Sequence, residues 1–132
     1  MRLTRASSYA IHAVAYMANQ KKDYPTASHI IARKKGIPER FLLKVLKPLV
    51  SAQVLTSVKG PNGGYRLARP ANEITVLDVL EAVEGPIRGH APGGGENTEQ
   101  INRRLEQICN QSAEQIRKQL GKIKISELSG KE

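Results

Sequence analysis

Three basic side chains, Arg40, Lys44 and Lys47, stand at i, i+4 and i+7, a spacing that stacks them on one face of a helix. Phe41, Leu42, Val45, Leu46 and Leu49 form the apolar set of the same stretch, on the opposite side. Guanidinium and ammonium groups so displayed can donate to guanine O6 and N7 in a major groove or grip phosphates, while the apolar set anchors the helix. A second group, Lys59, Asn62 and Arg66, lies on or beside the run Gly60-Pro61-Asn62-Gly63-Gly64. A turn this rich in glycine does not obstruct close backbone approach and can enter a minor groove, where narrow A·T tracts attract cations. Lys59 is the expected reader there and Arg66 the expected phosphate contact. Arg2, Thr4, Arg5 and Ser7 could add phosphate contacts through side chains and a helix N-terminus. Phe41 and Asn62 complete the candidate DNA-binding set.

Catalytic chemistry finds little footing. His12, His29 and His90 fall on different elements, no nucleophile motif surrounds Cys109, and Gly93-Gly94-Gly95 lacks the following Lys-Ser/Thr of a phosphate loop. No enzyme is expected. His12, His90 and Cys109 are the residual candidates for a metal site. Cys109 lies four residues after Leu105 and four before Ala113, where a small packed side chain belongs.

The charge is unevenly placed. The 132-residue chain carries +9 overall, of which residues 1–70 account for +11 and residues 71–132 for −2. A surface with no partner normally intersperses the two signs, so this asymmetry favours a polyanion. The five aromatic residues are too few for a base-stacking platform of the kind single-strand binders use, which points to duplex DNA. No apolar run of membrane-spanning length and no secretory leader is read, so a cytoplasmic protein without a membrane partner is expected. One cysteine excludes an internal disulfide.

The elements that must position these residues follow from periodicity and caps. Thr4 can cap a helix over 5–21, with Ala6, Ala10, Ala13, Val14 and Met17 at helical spacing, before a break at Asp23-Tyr24-Pro25. Thr26 is the expected N-cap of a second helix, 27–35, ended by Gly36, and Pro38 opens a third at its first turn. Pro48 should kink that third helix, because it removes a helix hydrogen bond. Two helices about a short glycine-containing turn define a helix-turn-helix. Residues 54–58 and 65–68 read as a hairpin, the wing, with Asn62-Gly63 supplying the positive φ angles of a tight turn. Thr75 and Asp78 form a capping-box start for a helix over 76–84. A flexible loop spans 86–95, and a helix from about 96 to 122 carries the stripe Ile101, Leu105, Ile108, Ile116 and Leu120. That stripe is long for a small domain, and a second subunit is the economical cover. A short element at 125–128 tucks back on the core. The expected fold is therefore mainly α with a small β-hairpin. Residues 1–85 form a winged helix-turn-helix DNA-binding domain, 86–95 a loop, and 96–132 a dimerisation helix and tail.

Several runs resemble the Rrf2 family of bacterial winged helix-turn-helix transcription regulators. They are Met-Arg-Leu-Thr-Arg at the start, Tyr9-Ala10, Phe41-Leu42 with Leu46, Val58 to Leu67 through the wing, and Ile74 to Asp78 with the following Leu-Glu-Ala-Val-Glu-Gly-Pro. The resemblance spans residues 1–88 and resumes at 123–128. It implies a homodimer with a long helix crossing between subunits, bound to a palindromic operator, and a repressor role. Cluster-bearing members place three cysteines where this chain has Arg88, His90 and three glycines, so the resemblance stops short of a standard iron-sulfur site and no cofactor is expected. A protein partner, a small-ligand co-regulator or oxidation of Cys109 is left as the signal. Leu43 stands where relatives carry a polar residue, and Lys44, where many carry glutamine, should favour guanine or phosphate over adenine. The alternative is a winged-helix nucleic-acid-binding protein without sequence preference.

Overall fold

The computed structural model describes residues 1–20, 24–91, 93 and 98–129. The expectations that fall on 21–23, 92, 94–97 and 130–132 lie outside the described residues; they include the end of the first helix, Asp23, Gly94, Gly95 and the start of the long helix. Helix α1 (Arg5–Ala18) begins at Thr4, whose hydroxyl accepts from the Ser7 amide at 3.0 Å. Its buried face is Ala10, Ala13, Val14 and Met17, and the small residues let the helices over 39–51 and 76–84 approach closely.

Helices α2 (Ser28–Lys35) and α3 (Glu39–Ser51) form the helix-turn-helix. Gly36 turns between them at φ +64°, and the Ile37 amide returns to the Ala32 carbonyl at 2.9 Å. Thr26 is not the N-cap of α2: Ala27 holds that position without a side-chain bond. Thr26 is instead drawn into a β-bridge with Tyr65, each amide donating to the other's carbonyl at 2.8 Å. Two backbone hydrogen bonds outweigh one side-chain cap. Pro38 sits at the N-cap of α3, one residue earlier than a first-turn proline, and its carbonyl accepts from the Leu42 amide at 2.9 Å. The helix runs on through Pro48.

The end of α3 is a complete Schellman motif: Gln53 donates to Val50 and Val54 to Leu49, both at 3.0 Å. Gln53 occupies the left-handed position at φ +61°, where glycine is the usual residue. Strands β1 (Leu55–Val58) and β2 (Gly64–Leu67) then pair antiparallel, Leu55 opposite Leu67 and Val58 opposite Gly64. The connection is a five-residue loop, 59–63, one residue shorter than expected because Gly64 joins β2. Positive φ falls on Gly60 and Gly64, not on Asn62. Gly63 is needed for space, since a Cβ there would meet the Val58 carbonyl at 2.1 Å.

A 3₁₀ turn (Ala71–Glu73) leads to α4 (Val76–Glu84), which has the full capping box: Asp78 N donates to Thr75 Oγ1 and Thr75 N to Asp78 Oδ2. Helix α5 (Glu99–Leu120) spans 22 residues, about 33 Å. The chain then returns to the first half. Val76 N donates to the Ile123 carbonyl and Ile125 N to the Ile74 carbonyl, and Ile125 of α6 (Ile125–Leu128), which packs on α1 and the 3₁₀ turn, is fully buried in the core. The architecture is the expected mainly helical winged helix-turn-helix with a two-stranded wing and a long C-terminal helix.

The two left-handed helix ends should respond oppositely to substitution. Gly36→Ala, with open space around the added methyl, should lower stability by about 1 kcal/mol through backbone strain alone. Gln53→Gly should raise it by about 0.5 kcal/mol, the strain relieved being partly offset by unfolded-chain entropy. Thermal melts at one fixed protein concentration check both signs.

Candidate nucleic-acid interface

Helix α3 owes its orientation to its inner face. Leu42, Leu46 and Leu49 are wholly buried and Val45 nearly so, which leaves the helix no freedom to roll. Arg40, Lys44 and Lys47 are consequently exposed together, with Leu43 beside them at 43% exposure. Phe41 is half-buried, its ring edge-on to Tyr9 at 5.3 Å and 89°, so it positions α3 on α1. Ser28 Oγ donates to Glu39 Oε2 at 2.8 Å and fastens the start of α2 to the start of α3. One group escaped the sequence reading. Arg33, Lys34 and Lys35 fill the last turn of α2, all exposed, where cations also suit the helix dipole. Three consecutive cations before a glycine turn were the available signal.

Lys59 and Asn62 are exposed in the wing loop, and Arg66 is half-buried opposite Thr56 in the hairpin. The Thr26–Tyr65 bridge ties the return strand to the segment entering α2. Gly64 makes that approach possible, since a Cβ there would meet the Thr26 carbonyl oxygen at 2.3 Å. Wing and helix-turn-helix are thus joined by backbone.

Arg2 and Arg5 are exposed at the start of α1. The Thr4 hydroxyl, besides capping, donates to Glu84 Oε1, and Ser7 Oγ donates to the same oxygen at 3.0 Å. A carboxylate from the last turn of α4 therefore covers this helix N-terminus, the place expected to receive phosphate, and favours its dipole as an anion would.

The apolar stripe of α5 divides. Ile116 and Leu120 are half-buried, Leu120 against the core, whereas Ile101, Leu105 and Ile108 are 62%, 45% and 43% exposed. Helix α5 is held to α4 chiefly through polar groups. Arg117 Nε donates to Glu81 Oε2 at 3.1 Å and Nη2 to Oε1 at 3.4 Å, and the Ile87 amide donates to Glu81 Oε2 at 2.9 Å. The expected flexible segment passes tightly over α5 at Gly89, where a Cβ would meet the Asn110 amide nitrogen at 2.2 Å. Burial pushes the Glu81 carboxyl up, but the Arg117 hydrogen bond, the Ile87 amide and the Arg117 charge together hold it below the usual carboxylate range. The Arg117 guanidinium is raised by its hydrogen bond to Glu81.

His12 and His90 are exposed and Cys109 is half-buried on α5. Among the described residues no three His, Cys, Asp or Glu side chains gather as a metal site, and no helix is long and apolar enough to cross a membrane.

Comparison with known proteins places this geometry. Residues 3–131 match the family model Rrf2, described as an iron-dependent transcriptional regulator. Protein aau3 of Rhizobium meliloti is 43% identical over 84 residues, 64% of this chain and 54% of that protein. The HTH-type transcriptional regulator IscR of Photobacterium profundum is 38% identical over 87 residues, 66% of this chain and 51% of that one. The chain spans about half the length of the curated relatives it matches. Among solved structures, the global cysteine regulator CymR of B. subtilis superposes with TM-score 0.76 at 22% identity, covering 98% of this chain and 96% of that one. IscR of T. potens gives 0.70 at 23%, covering 97% and 85%. Among the described residues the donor set does not fit the iron named in the family description. It has a single cysteine, and the described histidines and carboxylates are not assembled around it.

The Glu81–Arg117 pair generates a pH dependence. A carboxyl whose folded value lies below its unfolded value of about 4.3 stabilises fully above that value and less as pH falls through the folded one. Arg117→Met should therefore lower the melting temperature at pH 7, and its difference from the parent should shrink steadily toward pH 3. A difference independent of pH would show that Arg117 acts through packing alone.

Proposed function

The chain belongs to the Rrf2 family, and on that footing we propose that it is a sequence-specific DNA-binding transcriptional regulator, acting as a homodimeric repressor on a palindromic operator without a standard iron-sulfur cluster. The observation that carries this reading is the fully buried inner face of α3 beneath an exposed row of Arg40, Lys44 and Lys47. A groove-reading helix needs both features, since its contacts have value only if the helix cannot swivel. The Thr26–Tyr65 bridge supports a wing that docks as one body with that helix. The exposed Ile101, Leu105 and Ile108 support a second copy of α5 as their cover, each such side chain being worth about 1.5–3 kcal/mol when fully buried. Two copies related by a dyad would present two recognition helices to two half-sites, which is why a palindrome is expected. The missing thiolates favour control by a small ligand, a protein partner or Cys109 oxidation.

Selection from random duplexes with the full chain should enrich one palindrome; no enrichment would favour the non-specific alternative. On the selected site Arg40→Ala and Lys44→Ala should each weaken binding by about 1–3 kcal/mol if they touch bases, whereas a side chain that grips phosphate should, when truncated, lower the salt slope by about 1. Unchanged affinity in both variants rejects the docking. Leu105→Glu with Ile108→Glu should convert a dimer to a monomer in sedimentation; a persistent dimer places the interface elsewhere.

A further inference from the structure

Behind the wing lies a cavity of about 500 Å³, bounded by the last turn of α1, strand β2 and the 3₁₀ turn. That volume falls in the range of small-molecule sites. Its apolar lining includes Met17, Ala18, Leu67 and Ala71, with Tyr24 and Tyr65 also on the wall. Two guanidinium residues, Arg66 and Arg69, line it, and among the described residues no carboxylate does. Arg69 is held in place: Nη1 donates to the Glu73 carbonyl at 2.8 Å and lies 3.7 Å from Asp78 Oδ2. Asp78 is itself fixed by the α4 capping box, since its Oδ2 accepts from the Thr75 amide at 2.9 Å. Asp78 offsets part of the Arg69 charge, and Arg66 adds a second cation on the same wall.

We propose that this cavity binds a small aromatic carboxylate, its anionic end on Arg69 and its ring against the apolar wall near Tyr24 and Tyr65. Flat rings suit a lining of tyrosine, methionine and small aliphatic groups, and a planar carboxylate matches the guanidinium fork. Occupancy reaches the wing directly. Strand β2 is one wall, Thr26 of the Thr26–Tyr65 bridge is another, and Arg66 belongs to the candidate DNA surface. The effect on DNA rests on the regulator reading above; the binding itself does not.

The test titrates the isotope-labelled full chain with sodium salicylate, and separately with neutral salicylamide, while recording amide NMR spectra. Salicylate should give saturable shifts at the amides of Ala18, Leu67 and Ala71, with salicylamide binding about tenfold more weakly for want of the charged contact. Arg69→Gln should bring salicylate down to the salicylamide level, Arg69→Lys should retain most of the difference, and Ala71→Leu should block both probes. Thermal melts establish that each variant is folded. Absence of saturable shifts, shifts confined to α5, or equal affinity for the two probes would overturn the site. Saturating salicylate should also change affinity for the selected duplex. Unaltered DNA affinity with the cavity shifts intact overturns the coupling to the wing. A chain that binds no duplex at all removes the regulator reading while leaving the NMR result standing by itself.

Discussion

The display of Arg40, Lys44 and Lys47 depends on the buried face of the helix that carries them. Leu42, Val45, Leu46 and Leu49 of α3 sit in the centre of the core, against α1, α4 and the base of the hairpin. Truncating one such leucine to alanine typically costs about 2–5 kcal/mol, a large share of a small domain's stability. The same packing that holds the fold therefore fixes the rotation of α3. The apolar face is satisfied in only one orientation, and Arg40, Lys44 and Lys47 are left facing solvent as a consequence. Stability and display are one constraint.

That constraint is also why so much was legible. The apolar residues of α3 recur at helical spacing, and those of the hairpin do not, so the sequence alone separated helix from wing. Thr75 with Asp78 is a local signal that needs no tertiary information, and the capping box forms as read. The misreading at Thr26 turned on an interaction with a partner distant in sequence, that at Asn62 on the register of the strands around it. Thr26 is a good cap by type, but Tyr65, 39 positions away, offers two backbone hydrogen bonds. Asn62-Gly63 has the composition of a tight turn, yet the register Val58 opposite Gly64 leaves five residues to close, and the positive φ angles move to Gly60 and Gly64. The covering of the α1 N-terminus by Glu84, and the close pass of Gly89 over α5, join segments that no local pattern links.

The long helix is held by a different kind of interaction from the rest. Where α1, α3 and α4 meet through buried aliphatic surface, α5 has one buried residue, Ala113, and reaches α4 largely through Arg117 and Glu81. A partly exposed ion pair contributes little on its own, so Glu81 owes its importance to geometry. Its carboxylate takes the Arg117 fork and the Ile87 amide together. The end of α4, the start of the 86–95 segment and the C-terminal half of α5 therefore share one node. A displacement of the segment at Ile87 would disturb the α5 attachment at the same carboxylate.

The acidic residues of α4 explain how the charge asymmetry survives folding. A strongly basic first half packed against a helix bearing Asp78, Glu81 and Glu84 could have been neutralised at the surface that carries Arg40, Lys44 and Lys47. It is not, because each carboxylate is engaged elsewhere. Asp78 closes the capping box and lies beside Arg69, Glu81 receives Arg117, and Glu84 accepts from Thr4 and Ser7 at the start of α1. None of these partners is on α3 or in the wing loop. The exposed side chains of Arg33, Lys34, Lys35, Arg40, Lys44, Lys47 and Lys59 thus keep a field that the carboxylates of α4 do not quench, and a field of one sign over one face is what draws a polyanion at long range.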